Sequence, residues 1–219
     1  GRGEVSSDFV GLARDRRQRD DFSVKQIYVS GCSGDVTAGK YNDGSHESRL
    51  ALTERIYRAM AQSGRSVRRL PIKQLEFRNT ELDLKFNPAE KLTEAALTTT
   101  LNDTGRSVED RILAAMGLSS RRRVATGQKI DLPCIDFGEA TIILFPAEAF
   151  VAYQLMAQKM RPDSFMLSIG YGECWPGYIP TTESFADRFN DKWLWVAPGS
   201  EGRMRAALDQ LLLPNKLGP

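Results

Sequence analysis

Three turns in this sequence carry the residue types that could do chemistry, and each follows a short run of strand-forming residues. The first turn, residues 31–39, contains three glycines together with Asp35 and Thr37. Glycines allow a tight backbone whose amides point into a pocket. The turn lacks the Gly-Lys-Ser/Thr ending of a phosphate-binding loop and the Gly-x-Ser-x-Gly pattern of a nucleophile elbow. It therefore fits a catalytic turn carrying a hydroxyl and a carboxylate, or a plain strand-to-helix connection.

The second and third turns each hold one residue that could bind a metal. Glu148 stands where an apolar strand is predicted to meet a helix. The dipole of that helix would by itself explain a carboxylate in its first turn, although the same carboxylate could reach a metal ion. The third turn, residues 170–182, is rich in glycine and aromatic residues and contains Tyr178, either a packed side chain or a ligand. Thr181 or Thr182 can cap the short helix that follows.

The elements around these turns predict the fold class. Residues 1–20 are polar and charge-rich, and we interpret them as part of a connection. Strands alternate with helices, which predicts an α/β fold with a mixed sheet flanked by helices, formed by one domain over residues 1–219. The predicted strands are 26–30, one or two within 67–86, 129–137, 140–145 and 165–169; the predicted helices are 47–63, 88–101, one from 107 that ends at Gly117 or the arginine run after it, 147–160, 182–189 and 202–213.

Composition narrows the functional class. The chain has 219 residues, 41% hydrophobic and 26% charged, as in a soluble globular protein, and it contains no apolar run long enough to span a membrane. Its net charge of +2 argues against a dedicated nucleic-acid binder, and its arginine clusters are interpreted as solvated helix faces and loops. The three cysteines are widely spaced, which supports neither a disulfide framework nor a structural zinc site. Because His46 is the single histidine, this chain alone cannot assemble a zinc site from two or three histidines.

In order and spacing, the three turns together resemble the neutral/alkaline ceramidase family, and more closely its uncharacterised bacterial relatives. Gly34-Asp35-Val36-Thr37 resembles the family's Gly-Asp-Val-Ser turn, whose serine is the catalytic hydroxyl. Leu144-Phe145-Pro146-Ala147-Glu148 resembles its Leu-Pro-Gly-Glu motif, whose glutamate binds zinc. Gly177-Tyr178-Ile179-Pro180-Thr181 is similar to its Tyr-Ile-Thr-Thr segment, whose tyrosine is a further zinc ligand.

The resemblance implies a zinc-dependent hydrolase of lipid metabolism that cleaves an N-acyl amide bond in a lipid-like substrate. It assigns Thr37, Gly34 and Asp35 to the catalytic turn, and Glu148 and Tyr178 to the metal. The family's two zinc-binding histidines lie upstream of the catalytic turn, where this chain has none. We therefore expect the chain to be the C-terminal part of a larger catalytic domain, without the family's immunoglobulin-like domain. The N-terminal half of the same protein would supply the histidines, in keeping with a start that lacks methionine.

Two departures from the family pattern keep a second hypothesis open. Thr37 replaces the catalytic serine, and Arg188-Phe189-Asn190 replaces the family's Arg-Tyr-Glu, which removes a hydroxyl. The alternative is a non-catalytic ceramidase-like protein that binds a ligand or partner in the former active-site pocket. A nucleotide-binding α/β protein, suggested only by the glycine-rich turn, is a third interpretation. The sequence leaves open a cytoplasmic or an exported location.

Overall fold

The computed structural model describes residues 5–67, 69, 71–72 and 74–213. The chain divides into two compact units. The first unit consists of Gly1–Val29 and Thr37–Pro71, and the second of Ser30–Val36 and Ile72–Pro219. The glycine-rich turn is therefore shared, because Gly34 and Asp35 belong to the second unit and Thr37 to the first.

The first unit is built on two helices, α1 (Asp8–Asp20) and α2 (His46–Ser63), which pack against each other. The unit also contains the short 3₁₀ turns Gly39–Tyr41 and Gly64–Ser66. The interpretation of residues 1–20 as a connection is wrong for α1. Its charges suit a helix, because Asp8 lies in the first turn and Arg17 in the last, where each complements the helix dipole.

The second unit contains a four-stranded sheet in the order β1 (Glu76–Leu82), β2 (Ile130–Asp136), β3 (Ala140–Leu144) and β5 (Phe165–Ile169). The first two pairings are antiparallel and the β3–β5 pairing is parallel. A second, two-stranded parallel sheet pairs β4 (Glu148–Ala149) with β6 (Tyr178–Ile179). The prediction of an α/β fold with a mixed sheet flanked by helices is confirmed.

The described part of the second unit also contains five helices of 5 to 18 residues. Side-chain hydroxyls cap three of them, as the sequence predicts for Ser107 and Thr181 and as Thr93 also does. The helices are α3 (Glu94–Asn102), α4 (Val108–Ala125), α5 (Val151–Met160), α6 (Thr182–Ala186) and α7 (Ser200–Leu212), with a 3₁₀ turn at Glu90–Leu92.

Several predicted elements differ from the structure, and the helices predicted from 107 and from 182 end at Ala125 and Ala186. Residues 26–30 form no strand, although their residue types favour one. Ser30 O accepts a hydrogen bond from Gly170 N, but this single bond is not part of a β-sheet. The helix predicted from residue 88 begins at Glu94, where Thr93 supplies a cap. The helix predicted from residue 147 begins at Val151, because Glu148 and Ala149 pair with β6 instead. Part of the predicted strand region 67–86 lies outside the described residues.

The core of the second unit lies on one face of the four-stranded sheet. Ile130, Leu132 and Ile143 are fully buried there, and α5 and α7 add Tyr153 and Leu208 to the same cluster. A second cluster joins α3 and α4 around Trp195. All three cysteines are free thiols, and none of the described helices is long and apolar enough to cross a membrane.

A buried ion-pair network stands at one end of this sheet. Asp136, whose side chain is only 4% exposed, accepts hydrogen bonds from Arg78 Nη2 at 2.5 Å and Arg161 Nη1 at 3.0 Å. Its other oxygen accepts the Gly138 N–H at 2.7 Å, which fixes the tight turn between β2 and β3. The turn needs glycine because Gly138 has a φ of 86°.

Candidate active site

The short β4–β6 sheet sets the two predicted metal ligands side by side. Glu148 and Tyr178 are direct partners in its parallel register, so their side chains lie on the same face. The Tyr178 hydroxyl and the Glu148 carboxylate are close enough to shift each other's pKa, and both residues are half-buried. Glu148 is thus held by a strand pairing, and the expected explanation from a helix first turn does not apply because α5 begins three residues later.

The glycine-rich turn packs directly on the strand that carries Glu148. Gly34 N donates a hydrogen bond to Ala149 O at 3.1 Å. A Cβ atom on Gly34 would lie 2.2 Å from Glu148 O, which is inside van der Waals contact with backbone. Only glycine therefore fits at this point, and the close approach brings the turn to the Glu148–Tyr178 pair.

Asp35 has a positioning role in this arrangement. Its Oδ1 accepts the N–H of Val151, the first residue of α5, at 2.7 Å. Phe150, at the N-cap of α5, offers no side-chain oxygen, so Asp35 provides the cap from a distant part of the chain. One carboxylate thus ties the glycine-rich turn to the helix that follows Glu148.

Thr37 lies in the first unit. The other four predicted site residues, Gly34, Asp35, Glu148 and Tyr178, lie in the second unit. The Thr37 side chain is exposed, and its Oγ1 accepts the Gly39 N–H at 3.2 Å. His46 is also in the first unit, where it is exposed at the start of α2.

Two hydroxyls that the sequence interpretation did not single out lie in the second unit beside these residues. Ser33 Oγ is 3.4 Å from Tyr171 Oη. Tyr171 has a φ of 61°, which is an unfavourable conformation for an aromatic residue, and its N–H donates to the carbonyl of Ala147, itself at a φ of 45°. Strain of this kind clusters at functional sites. The signal in the sequence was Tyr171 between two glycines in a turn.

Phe189 supports Tyr178 from the other side. Its ring meets the Tyr178 ring edge to face, with centroids 5.6 Å apart, and meets Phe150 in the same way at 5.2 Å. Such contacts fix ring orientation. Arg188, immediately before it, has a φ of 62°, so the backbone is again strained next to the site.

The electrostatics favour a positive ligand. Burial raises the pKa of Glu148, and the nearby Asp191 carboxylate raises it further. Burial likewise raises the pKa of Tyr178, with Glu148 and Asp191 adding to the effect. A bound cation would reverse this balance by stabilising the deprotonated forms.

The described residues fit only part of a metal shell. Within them, no three or more His, Cys, Asp or Glu side chains are grouped as a metal ion would require. Glu148 and Tyr178 offer two adjacent oxygen donors, whereas zinc in proteins is usually four-coordinate. The donor set is therefore compatible with half of a zinc site completed by other residues.

Comparisons with known proteins identify the fold. No family model matches the chain, and no curated protein matches it. The crystal structure of neutral ceramidase from Pseudomonas aeruginosa is similar with a TM-score of 0.63 at 13% identity, over 98% of this chain and 42% of that chain. A structure described as ceramidase complexed with C2 has a TM-score of 0.69 at 12% identity, over 97% of this chain and 43% of the other.

The chain is thus an α/β protein with a ceramidase-like fold, and the predicted resemblance to neutral ceramidases is confirmed at the level of fold. It spans less than half the length of these ceramidase structures.

Proposed function

We propose that this chain is the C-terminal part of a zinc-dependent hydrolase of the neutral ceramidase type, which cleaves an N-acyl amide bond in a lipid-like substrate. The observation that carries the proposal is the register pairing of Glu148 with Tyr178 in a ceramidase-like fold. These are the two residues that the sequence motifs assign to zinc. The N-terminal half of a longer protein would supply two histidines.

Glu148 and Tyr178 would hold the zinc ion, which when bound would polarise the substrate carbonyl or activate water. Tyr178, whose pKa is raised by burial, would have to release its proton to bind zinc as a phenolate, so zinc affinity should fall as the pH is lowered. Phe189 would keep the Tyr178 ring in the orientation that points its oxygen toward Glu148.

The glycine-rich turn would stabilise negative charge on the substrate oxygen. Gly34 N–H is already bonded to Ala149 O and Val36 N–H to Ser33 O, so the Asp35 N–H is the candidate donor to an oxyanion. The family motif assigns the catalytic hydroxyl to Thr37. We add Ser33 and Tyr171 as hydroxyls that would orient the substrate, since they lie in the same unit as Glu148.

The alternative, a non-catalytic ceramidase-like binding protein, is favoured by one specific observation. Phe189 occupies the position of a family tyrosine and uses its ring only for aromatic packing. A protein that kept the pocket and lost the chemistry would retain such a contact.

Zinc content of the longer, ceramidase-length protein tests the proposal. Glu148→Ala and Tyr178→Phe should each weaken zinc binding by at least about tenfold, since even residues that only support ligands contribute 10–100-fold. Glu90→Ala and Tyr41→Phe, which change exposed residues of the same types, are the matched controls and should leave zinc content unchanged. Unchanged zinc content in both site variants would contradict the assignment.

Turnover separates the two candidate functions. The zinc enzyme should hydrolyse some members of a panel of N-acyl amides, and a chelator should abolish this activity. Binding of the same amides without turnover, in protein free of zinc, would favour the non-catalytic alternative.

A further inference from the structure

The two faces of the four-stranded sheet differ in a way that the proposed active site does not explain. One face is covered by α5 and α7 and contains the fully buried Ile130, Leu132 and Ile143. The opposite face leaves large apolar side chains in contact with solvent. Scattered apolar residues on a surface are ordinary, whereas a contiguous apolar patch marks an interaction site.

The exposed residues form a continuous row across all four strands, which we call the apolar row. Phe77 of β1 pairs with Ile135 of β2, Ile135 with Ile142 of β3, and Ile142 with Leu167 of β5. Directly paired residues share a face, so the four side chains lie next to one another. Phe77 is 68% exposed and Leu167 37%, and the two isoleucines between them are partly exposed.

The parallel half of the sheet extends this surface. On the same face β3 presents Ala140 and Leu144 beside Ile142, and β5 presents Phe165, which is 73% exposed, and Ile169. Neither strand places a polar residue on this face. Parallel strands occur almost only where both faces of the sheet are covered, and their sequences are then apolar throughout.

The surface has a defined polar boundary. At the far end of β1 and β2 the same face carries Asn79, which donates a hydrogen bond to Asp131 at 2.7 Å, and Glu81, which pairs with Lys129. Solvent-facing polar pairs therefore occupy one end of the sheet, and the apolar row with its β3 and β5 neighbours occupies the other. Such a division is typical of an interface with a polar rim.

We propose that the apolar row is the surface on which the remaining polypeptide of a ceramidase-length protein docks, burying this face of the sheet. The occupant follows from the fold comparison, because the chain matches only 42–43% of each ceramidase structure and the rest of such a protein must pack somewhere. The docking rests on the part of the proposed function that makes this chain a portion of a longer protein. It does not rest on zinc binding or on the two histidines.

Leu167→Asp tests the proposal because its effect should depend on which polypeptide carries it. In the ceramidase-length protein it would bury a charge in the interface, and the unfolding midpoint should fall by roughly 5 °C or more. In the 219-residue chain alone the same side chain is 37% exposed and no docked polypeptide covers it, so the midpoint should change by about 2 °C or less, the scale of ordinary surface substitutions. Phe77→Asp should behave in the same way. Ile112→Asp, on an exposed position of α4, is the matched control and should be neutral in both.

Hydrogen exchange gives an independent measurement. Amides of β3 and β5 should exchange more slowly in the ceramidase-length protein than in the 219-residue chain, and Leu167→Asp should reduce that difference. Equal effects of Leu167→Asp in the two proteins would overturn the proposal, as would a dimer of the 219-residue chain that the substitution dissociates. Zinc is not measured here, so an absence of zinc would count against the proposed function without affecting this result.

Discussion

The two compact units of this chain are stabilised by different interactions. Among the described residues of the first unit, only Ala13 and Leu52 are buried, and α1 is joined to α2 by polar groups. Arg16 pairs with Glu54, Arg58 pairs with the same carboxylate, and Tyr57 donates a hydrogen bond to Asp20 at 2.6 Å. The second unit instead has a contiguous apolar core and a buried ion pair, Arg78–Asp136, at one end of its sheet.

This difference bears on the candidate site. Glu148, Tyr178, Gly34 and Asp35 all belong to the unit with the apolar core, where close packing fixes side-chain positions. Ion pairs in water contribute little and are screened by salt, so the first unit should open more easily. All three tryptophans, Trp175, Trp193 and Trp195, lie in the second unit, so their fluorescence reports on it alone.

The largest expected effect comes from breaking the buried ion pair with Asp136→Asn. Removing the charge leaves Arg78 and Arg161 without their buried partner, which should lower the free energy of unfolding by about 3–5 kcal/mol. Urea unfolding, monitored by tryptophan fluorescence, measures this change in the free energy of unfolding. Asp163→Asn is the control, because Asp163 pairs with the same Arg161 but is 79% exposed, and it should change stability by less than about 0.5 kcal/mol. Similar effects of both variants would remove the distinction between buried and exposed ion pairs on which the comparison of the two units depends.

The same ion pair gives the second unit a dependence on acid. Burial alone would raise the pKa of Asp136, but the Gly138 N–H and the guanidinium groups of Arg161 and Arg78 hold it below its ordinary value. A depressed pKa contributes stability above the unfolded-state pKa of about 4, and that contribution is lost as the pH falls through the folded-state value. Below about pH 4 the wild-type protein should therefore lose stability more steeply than Asp136→Asn. Parallel pH profiles would contradict this.

An intermediate effect is expected from Gly34→Ala, which tests the packing of the turn on Glu148. The added Cβ would meet Glu148 O at 2.2 Å, so the backbone must shift, at a cost of about 1–3 kcal/mol. Gly202→Ala, inside α7 with open space around it, should instead raise stability by about 0.5–1 kcal/mol. A neutral Gly34→Ala would mean that the turn does not rest on the strand that carries Glu148.

The smallest effect should come from Glu54→Gln in the first unit. It removes the partner of Arg16 and Arg58, both of which pair with Glu54 near the surface. Amide exchange of α1 and α2 should rise slightly at low salt, and the difference from wild type should shrink in about 1 M salt, where the screening length is about 3 Å. A loss of stability as large as that of Asp136→Asn, or one unaffected by salt, would show that the first unit depends on more than exposed charge pairs.

Local patterns were enough to predict many elements. The hairpin of β2 and β3 around Gly138, the strand β5, and the caps at Ser107 and Thr181 all follow from short-range residue patterns, although the apolar sequence of β5 wrongly suggested that both of its faces are buried. The failures have a common cause. Residues 26–30 are strand-forming but belong to no strand of the structure, and residues 8–20 are too polar to suggest a helix that is held by ion pairs to α2.

The sequence by itself determined the α/β class and the order of the three chemical turns, because these depend on residue types and spacings. Its resemblance to neutral ceramidases, carried by those turns, made Glu148 and Tyr178 the candidate ligands. Only the tertiary structure decided that Glu148 and Tyr178 are register partners, that Gly34 contacts the Glu148 backbone, and that Asp35 caps α5. These contacts join residues more than 100 positions apart in the case of the turn, and no local pattern encodes which distant backbone groups meet. The apolar row is also decided only by the tertiary structure, because four strands must pair in register before its side chains form one surface.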